Sequence, residues 1–276
     1  MTDFLTQKTW RFMDQSISGL DRSPLESFAA DDTLCHLVGQ QQSPLTVRTW
    51  VHRSAVVLGI QDHRLPYVQA GMDLLEQRGY TPIVRNSGGL AVVLDEGVMN
   101  VSIVLNEAVG RIDINEGYDI MVAFIKGIFP EFAESIEAYE IVGSYCPGSY
   151  DLSVNGKKFA GIAQRRIRGG IAVQIYLSVD RTGGERAELI RDFYNIARQN
   201  EETKFDYPNV RPEVMVSISE IMGQPMTVNE VNTRIQQFLY QHCETLRMGP
   251  FEQDEMEQYT FYLKRIFERN QKLLRE

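Results

Sequence analysis

The stretch that decides the fold is residues 136–179, IEAYEIVGSYCPGSYDLSVNGKKFAGIAQRRIRGGIAVQIYLSV. It reads as successive β-strands separated by glycine-containing breaks. Asn155-Gly156 is the dipeptide preferred in a two-residue type I′ turn, so the strands on either side of it are predicted to form a hairpin. The region therefore predicts the sheet of a mixed α/β protein.

Helices and strands alternate before this stretch. Ser23 and Pro24 are a favourable N-cap and first-turn pair and predict where the first helix begins. The predicted elements are a helix at about 24–39, a strand at 48–61, a helix at 67–80, strand-like runs at 81–89 and 90–105 hinged by Gly88 and Gly89 and interrupted near Gly97, and a helix within 117–132 that ends before Pro130.

The pattern after residue 184 is helical, with predicted helices within 185–199, 227–246 and 254–274. The fold class predicted from all these elements is α/β (α+β), a mixed sheet with flanking helices. We predict a main domain over residues 1–215 and a C-terminal helical extension over 216–276 that packs on it.

Composition and charge exclude several function classes. The chain has 276 residues, of which 43% are hydrophobic and 24% charged, as in an ordinary globular protein. Its formal charge of −9 argues against nucleic-acid binding. No apolar run is long enough to span a membrane and no leader pattern opens the chain, so a cytoplasmic location with no membrane partner is expected. Arg165, Arg166 and Arg168 form either a positive patch for an acidic partner or a solvated strand edge.

Cysteine usage points to reduced thiols. Cys35, Cys146 and Cys243 are an odd number without a CxxC pair, so neither a disulfide framework nor a metal site is predicted. Cys35 and Cys243 fall in predicted helices and suit a structural role, whereas Cys146 lies in the Gly/Ser/Pro-rich break GSYCPGSYDL. Loops held by a rigid sheet commonly carry functional side chains. Cys146 is therefore the candidate nucleophile.

Lys158 is the candidate partner of this cysteine. It follows Cys146 by twelve positions across the predicted hairpin turn, so the returning strand brings it back toward the cysteine loop. A buried ammonium near a thiol favours the nucleophilic thiolate and can also stabilise a developing oxyanion. An exposed hairpin lysine, as expected of Lys157, is the competing interpretation.

Two motifs resemble those of the superfamily of lipoate-protein ligases, biotin ligases and octanoyltransferases. One is RNSGGLAVVLDEGVMNVS at residues 85–102, and the other is DLSVNGKKFAGIAQ at residues 151–164. The resemblance implies a lipoate/biotin-ligase-like catalytic domain with a tunnel for a medium-length acyl chain. The residues it assigns to acyl or substrate binding are Arg85, Ser87, Gly88, Gly89, Asn100 and Gly161.

Cys146 narrows the resemblance to the cysteine-type octanoyltransferases, because ligases activate their acid with ATP and need no nucleophile. Ligases often have a histidine at the position of Leu94, and its absence here also argues against an acyl-adenylate intermediate. The related enzymes that load the H protein from octanoyl-acyl-carrier protein usually have His-Gly where this chain has Val173-Gln174. The difference favours amidotransfer, in which the acyl group moves from one lysine amide to another. This resemblance implies the octanoylated glycine cleavage H protein as donor, lipoyl domains of 2-oxoacid dehydrogenase complexes as acceptors, a Cys146 thioester, and no cofactor.

Three alternatives stay open at the level of sequence. In the first, octanoyl-acyl-carrier protein is the donor and the H protein is the acceptor. In the second, the enzyme is an ATP-dependent lipoate ligase. In the third, the chain is a noncatalytic module that binds acyl groups or carriers. The donor requirement, the ATP requirement and the effect of removing Cys146 distinguish them.

Overall fold

A computed structural model describes residues 8–85, 88–107, 110–199 and 201–274. Its strands are β1 Thr9–Gln15, β2 Leu45–Trp50, β3 Ala55–Leu58, β4 Thr81–Val84, β5 Val92–Leu94, β6 Val98–Asn106, β7 Glu137–Ala138, β8 Asp151–Val154, β9 Lys157–Ile167, β10 Gly170–Ser178 and β11 Thr245–Met248. Its α-helices are α1 Pro24–Gly39, α2 Val68–Gln77, α3 Ile114–Ile128, α4 Gly183–Arg198, α5 Ile218–Met222, α6 Val228–His242 and α7 Met256–Leu273.

The strands form a larger and a smaller sheet. Over the described residues, the larger sheet has eight strands in the order β11-β1-β2-β6-β10-β9-β8-β7, and the smaller has three in the order β4-β3-β5. The pairs β1–β2, β1–β11 and β3–β4 are parallel, and the other ladders are antiparallel. The predicted mixed sheet with flanking helices is confirmed.

The hairpin at residues 155–156 forms as predicted. Asn155 and Gly156 have φ values of 52° and 71°, the positive values that a type I′ turn requires at both central positions. The first helix also begins where predicted, with the Ser23 side chain accepting a hydrogen bond from the Leu25 backbone. Local turn and cap chemistry therefore places these boundaries.

One predicted strand and the C-terminal end of one predicted helical stretch were wrong. The strand at 48–61 is two strands in different sheets, because the chain turns between Trp50 and Ala55, where Ser54 has a φ of 43°. The helix within 227–246 ends at His242, and the chain continues into β11. Backbone N–H groups of Glu244 and Thr245 donate to the carbonyl of Lys8 at the entrance to β1, so pairing with a distant strand ends the helix.

The two faces of the larger sheet differ in polarity. Alternate residues of β6 and β10, such as Val101, Ile103 and Ile175, pack with α3 and α6 in an apolar core. The intervening residues face the side occupied by α1 and include polar groups such as Asn100 and Gln174. Since successive side chains of a strand point to opposite faces, this alternation separates the apolar core from the face that carries the candidate site.

The C-terminal residues contribute to the main apolar core, to the larger sheet and to the packing against α1. The α6 residues Val231, Ile235 and Leu239 belong to the main apolar core, and β11 extends the larger sheet. Helix α7 packs against α1. The domain boundary between residues 215 and 216 stays a prediction.

A buried ion pair joins α4 to the end of β5. Arg186 Nε and Nη2 each lie 2.8 Å from an Asp95 carboxylate oxygen, and Nη1 donates to Ser178 Oγ. Both charged side chains are almost fully buried. Without Arg186, Asp95 would keep only the Gly97 N–H and the more distant Arg181, at 3.9 Å, and breaking a buried ion pair in this way is strongly destabilising.

We expect Arg186→Met to lower the free energy of unfolding by about 3–5 kcal/mol because Asp95 keeps its charge in a buried position. Urea unfolding followed by circular dichroism measures the change. The matched control is Arg191→Met, on the same helix and partly exposed beside Asp192, with an expected change within about 0.5 kcal/mol. Equal losses in the two variants would contradict the prediction.

Candidate active site

The Cys146 thiol lies where two hydrogen-bond donors converge. Its Sγ accepts from the backbone N–H of Leu90 at 3.3 Å and from Arg85 Nη2 at 3.4 Å. Cys146 is partly exposed and has a φ of 44°, an unusual conformation for a residue with a Cβ. Two hydrogen bonds thus hold the sulfur of a partly exposed cysteine in a fixed position.

Lys158 holds the backbone of the cysteine loop. Its side chain is 2% exposed, and its Nζ lies 2.9 Å from Asp151 Oδ1. The ammonium also donates to the carbonyls of Tyr145 at 3.0 Å and Cys146 at 2.9 Å, and to Ser144 Oγ at 3.3 Å. The structure thus brings Lys158 to Cys146, but its hydrogen bonds go to the main chain of the cysteine, while Arg85 contacts the sulfur.

Asp151 completes this arrangement. Its second oxygen, Oδ2, accepts from the backbone N–H of Ile141 and from Ser144 Oγ. Burial raises the pKa of Asp151, and the ammonium of Lys158 opposes that rise. Sequence reasoning did not assign this aspartate to the site, although its place in the Asp-Leu pair of the second motif was a signal that could have marked it.

Gly89 is required for the approach of Arg85 to the sulfur. It has a φ of 106°, and a Cβ at this position would lie 2.2 Å from Arg85 Nη2 and 3.3 Å from Cys146 Sγ. Gly88 borders the same space, but a Cβ added there would meet no other atom within 4 Å, so its role is not steric. Ser87, also predicted to bind substrate, lies outside the described residues.

Asn100 and Gly161 lie on strands that wall the site. Both border the cavity beside Cys146, and both pair with Tyr176 of β10 across their ladders. The buried Asn100 Nδ2 atom has no hydrogen-bond partner. Because buried polar atoms are nearly always satisfied, an unpartnered donor at a cavity wall suits an acceptor oxygen of a bound molecule.

The cavity that contains these groups has a volume of about 300 Å³. Its apolar walls include Phe28, Trp50, Val57, Val92 and Leu94. A cavity at the small end of the usual size range for ligand sites, with apolar walls and few polar groups, suits a short apolar chain whose reactive end lies at the thiol.

A buried polar network supports the face of the cavity formed by α1 and the sheet. Asp31 accepts hydrogen bonds from Arg48, Ser102 and Gln174. The Trp50 indole donates to Ser102 Oγ at 3.3 Å. Two cavity-lining side chains, Trp50 and Gln174, are therefore held by the same set of hydrogen bonds. Sequence reasoning missed this network because its members are distant in the chain.

A buried carboxyl group lies behind the glycine loop. Asp62 accepts from the backbone N–H of Gly59 at 2.7 Å and from the Tyr194 hydroxyl at 2.8 Å. Burial raises the pKa of Asp62 to about 6, against the opposing effects of these hydrogen bonds and of Arg85. Gly59 in turn lies so close to Gly89 that a Cβ would overlap its carbonyl. Asp62 therefore anchors the backbone on which the Arg85–Gly89 approach depends.

The three arginines noted in the sequence do not form an unshielded patch. Arg165 pairs with Asp32 and Arg166 with Glu107, while Arg168 is exposed at the turn between β9 and β10. Two of the three charges are thus balanced within the fold.

Metal clusters and membrane-spanning helices are both absent from the described parts of the chain. Within residues 8–85, 88–107, 110–199 and 201–274, no group of three or more His, Cys, Asp or Glu side chains is arranged to hold a metal ion. In the same ranges, no helix has both the length and the apolar character needed to cross a bilayer.

Sequence relatives extend over nearly the whole chain. A protein of Lysinibacillus sphaericus named octanoyl-[GcvH]:protein N-octanoyltransferase is 64% identical, with 99% of each chain covered. A protein of Listeria monocytogenes named lipoyl-[GcvH]:protein N-lipoyltransferase is 47% identical, with 98% of this chain and 97% of the relative covered.

Solved structures agree with the fold. Lipoate-protein ligase A bound with ATP gives a TM-score of 0.66 at 15% identity, with 94% of each chain covered. A Thermoplasma acidophilum lipoate protein ligase homologue with bound lipoic acid gives 0.65 at 15% identity, with 94% of this chain and 95% of that one covered. At this identity the likeness shows the fold alone.

The family expected from the two motifs is confirmed. The family described as the lipoyl protein ligase A/B catalytic domain matches residues 23–240, which include both motifs and the cysteine loop. With this match and relatives of 47–64% identity over almost its full length, the chain belongs to the lipoyl protein ligase A/B catalytic domain family.

Proposed function

We propose that this protein transfers an octanoyl group from the lysine of the glycine cleavage H protein to lysines of lipoyl domains in 2-oxoacid dehydrogenase complexes, through a thioester on Cys146. The observation that carries the proposal is the position of Cys146 Sγ. It lies at an apolar cavity, within hydrogen-bonding distance of two N–H donors. The names of the two relatives described above support the donor and the class of reaction.

In the first half-reaction, the Cys146 sulfur attacks the carbonyl carbon of the octanoyl-lysine amide. A carbon–sulfur bond forms, the carbon–nitrogen bond breaks, and the amine leaves with the proton that the thiol gave up. In the second, the neutral amine of an acceptor lysine attacks the thioester, and the sulfur regains a proton. Because an amide is exchanged for an amide, the overall reaction is nearly isoenergetic and consumes no ATP.

Arg85 and Lys158 have different tasks in this scheme. The Arg85 guanidinium and the Leu90 N–H donate hydrogen bonds to the sulfur and orient it for attack. Lys158 holds the carbonyls of Tyr145 and Cys146 and so fixes the position of the nucleophile. Asn100 Nδ2, a buried donor without a partner, is available to the carbonyl oxygen of the acyl group as charge develops there.

The acyl chain is held by the apolar cavity walls. Burial contributes about 0.8 kcal/mol per methylene, which favours a medium-length chain over a short one without sharply separating chains that differ by one carbon. Lipoyl is an eight-carbon acyl group that carries two sulfur atoms, and the name of the Listeria relative specifies lipoyl transfer. Lipoyl-H protein is therefore the second donor to test.

We expect the purified protein to move one octanoyl group from octanoyl-H protein to a lipoyl domain without ATP, because the cysteine supplies the activated intermediate. Intact-mass measurement of the lipoyl domain detects the gain. Cys146→Ala is expected to abolish it, and Cys243→Ala, at a partly buried cysteine outside the cavity, serves as the matched control.

Transfer that survives Cys146→Ala would contradict the proposed thioester. No transfer from the H protein, but transfer from octanoyl-acyl-carrier protein to the H protein, would assign the other donor. Activity only with ATP and free acid would identify a ligase, and binding without transfer under all three conditions would identify a noncatalytic module.

We expect Arg85→Met to slow acylation of Cys146 by about 10²-fold, because it removes a charged donor from the reacting sulfur. A small octanoyl thioester serves as donor, and mass spectrometry follows the acyl-enzyme in a single turnover. Arg78→Met, at an exposed arginine that pairs with Asp192, is the control and should react at the wild-type rate. An Arg85→Met rate equal to that of the control would remove Arg85 from the mechanism.

A further inference from the structure

The cavity beside Cys146 is called the acyl cavity below. A second, larger hollow lies immediately outside it. It has a volume of about 1010 Å³, more than three times that of the acyl cavity. Its walls come from segments 60–64, 140–143 and 205–211, and it shares Gly88, Gly89 and Pro147 with the acyl cavity. We call this hollow the vestibule.

The vestibule adjoins the reacting sulfur. Pro147 follows Cys146 directly, and Leu90, whose N–H donates to the sulfur, also lines the vestibule. A lysine side chain is short, so a folded protein that delivers its acylated lysine to Cys146 must bring its backbone close to the vestibule. The space next to the sulfur is therefore the place where a protein substrate has to contact the enzyme.

The vestibule carries exposed apolar side chains and an equal number of positive and negative charges. Val142 is 72% exposed and Phe205 is 37% exposed, although both are large hydrophobic residues. Two arginines and two acidic residues also line the hollow, so their formal charges cancel: Arg64, Arg211, Glu140 and Asp206. Exposed apolar side chains grouped at the mouth of a site are typical of a protein contact surface.

Hydrogen bonds join the rim segments to one another. Arg211 Nη2 donates to the carbonyl of Val142 at 2.8 Å, and the Arg211 backbone N–H donates to the carbonyl of Gly143 at 2.7 Å. The Tyr207 hydroxyl donates to the carbonyl of Gln61 at 2.6 Å. The irregular segment 205–211 is thus tied to both other walls, which gives a preformed surface and lowers the entropic cost of binding.

We propose that the vestibule is the docking surface for the lysine-bearing segment of the carrier proteins, and that donor and acceptor occupy it in turn. The inference rests on the proposed function. Both half-reactions use the same sulfur atom, so both lysines approach through the same opening. Because the vestibule is continuous with the acyl cavity, its occupant is the carrier protein that bears the acyl group. Because its charges balance, we expect apolar contact with Val142 and Phe205 to be the main source of recognition.

The test uses Val142→Glu and Val142→Lys, which place opposite charges on the same exposed position. Ile17→Glu is the matched control, at a β-branched residue that is 79% exposed and lies outside both hollows. For each variant, three rates are measured: acylation by a small octanoyl thioester, transfer from octanoyl-H protein, and transfer from preformed octanoyl-enzyme to a lipoyl domain. The readout is the ratio of each protein-dependent rate to the small-donor rate.

We expect both Val142 variants to lower both ratios by about tenfold, equivalent to about 1.4 kcal/mol, and Ile17→Glu to leave them within about twofold of wild type. Ratios equal to those of the control would overturn the inference. So would a loss in only one half-reaction, since donor and acceptor would then use different surfaces, or opposite effects of glutamate and lysine, since recognition would then be electrostatic. Failure of the small thioester to acylate wild-type Cys146 would instead count against the proposed function.

Discussion

The buried pair of Lys158 and Asp151 is the interaction on which the site depends. The two side chains lie on paired strands, β9 and β8, and each is 2% exposed. Their remaining hydrogen-bonding capacity is directed at one loop: the ammonium binds the carbonyls of Tyr145 and Cys146, and the carboxylate binds the N–H of Ile141. A rigid sheet thereby sets the position of a loop that has little regular structure of its own.

This arrangement accounts for the backbone of Cys146. A residue with a Cβ at a φ of 44° is disfavoured and persists only where its surroundings hold it there. The surroundings here are the lysine on one side and the Arg85–Leu90 segment on the other, where Gly89 allows the guanidinium to reach the sulfur. Cys146 thus lies between Lys158 of the larger sheet and the segment that connects β4 to β5 in the smaller one.

The two faces of the larger sheet have different surroundings. One of its faces packs against α3 and α6 through apolar side chains, while the other carries Asn100, Ser102 and Gln174, of which Asn100 and Gln174 line the cavity beside Cys146. Burying polar groups is costly unless they are hydrogen-bonded, and the Asp31 network meets this need for Ser102 and Gln174. Asn100 Nδ2 is left without a partner at the cavity, in keeping with a role toward substrate.

Local chemistry in the sequence by itself determined the hairpin at Asn155-Gly156, the start of α1 at Ser23, and the two motifs that identify the family. It also pointed to Cys146, as a lone cysteine in a Gly/Ser/Pro-rich loop, and to Lys158, across the predicted hairpin turn, whereas Arg85 and Gly89 were assigned by the family resemblance. Only the tertiary structure decided which group contacts the sulfur, how the chain at 48–61 divides between two sheets, and that residues 245–248 form a strand. These outcomes depend on pairings between residues far apart in the chain, such as Arg85 with Cys146 and β11 with β1, and no local pattern encodes the partner in such a contact.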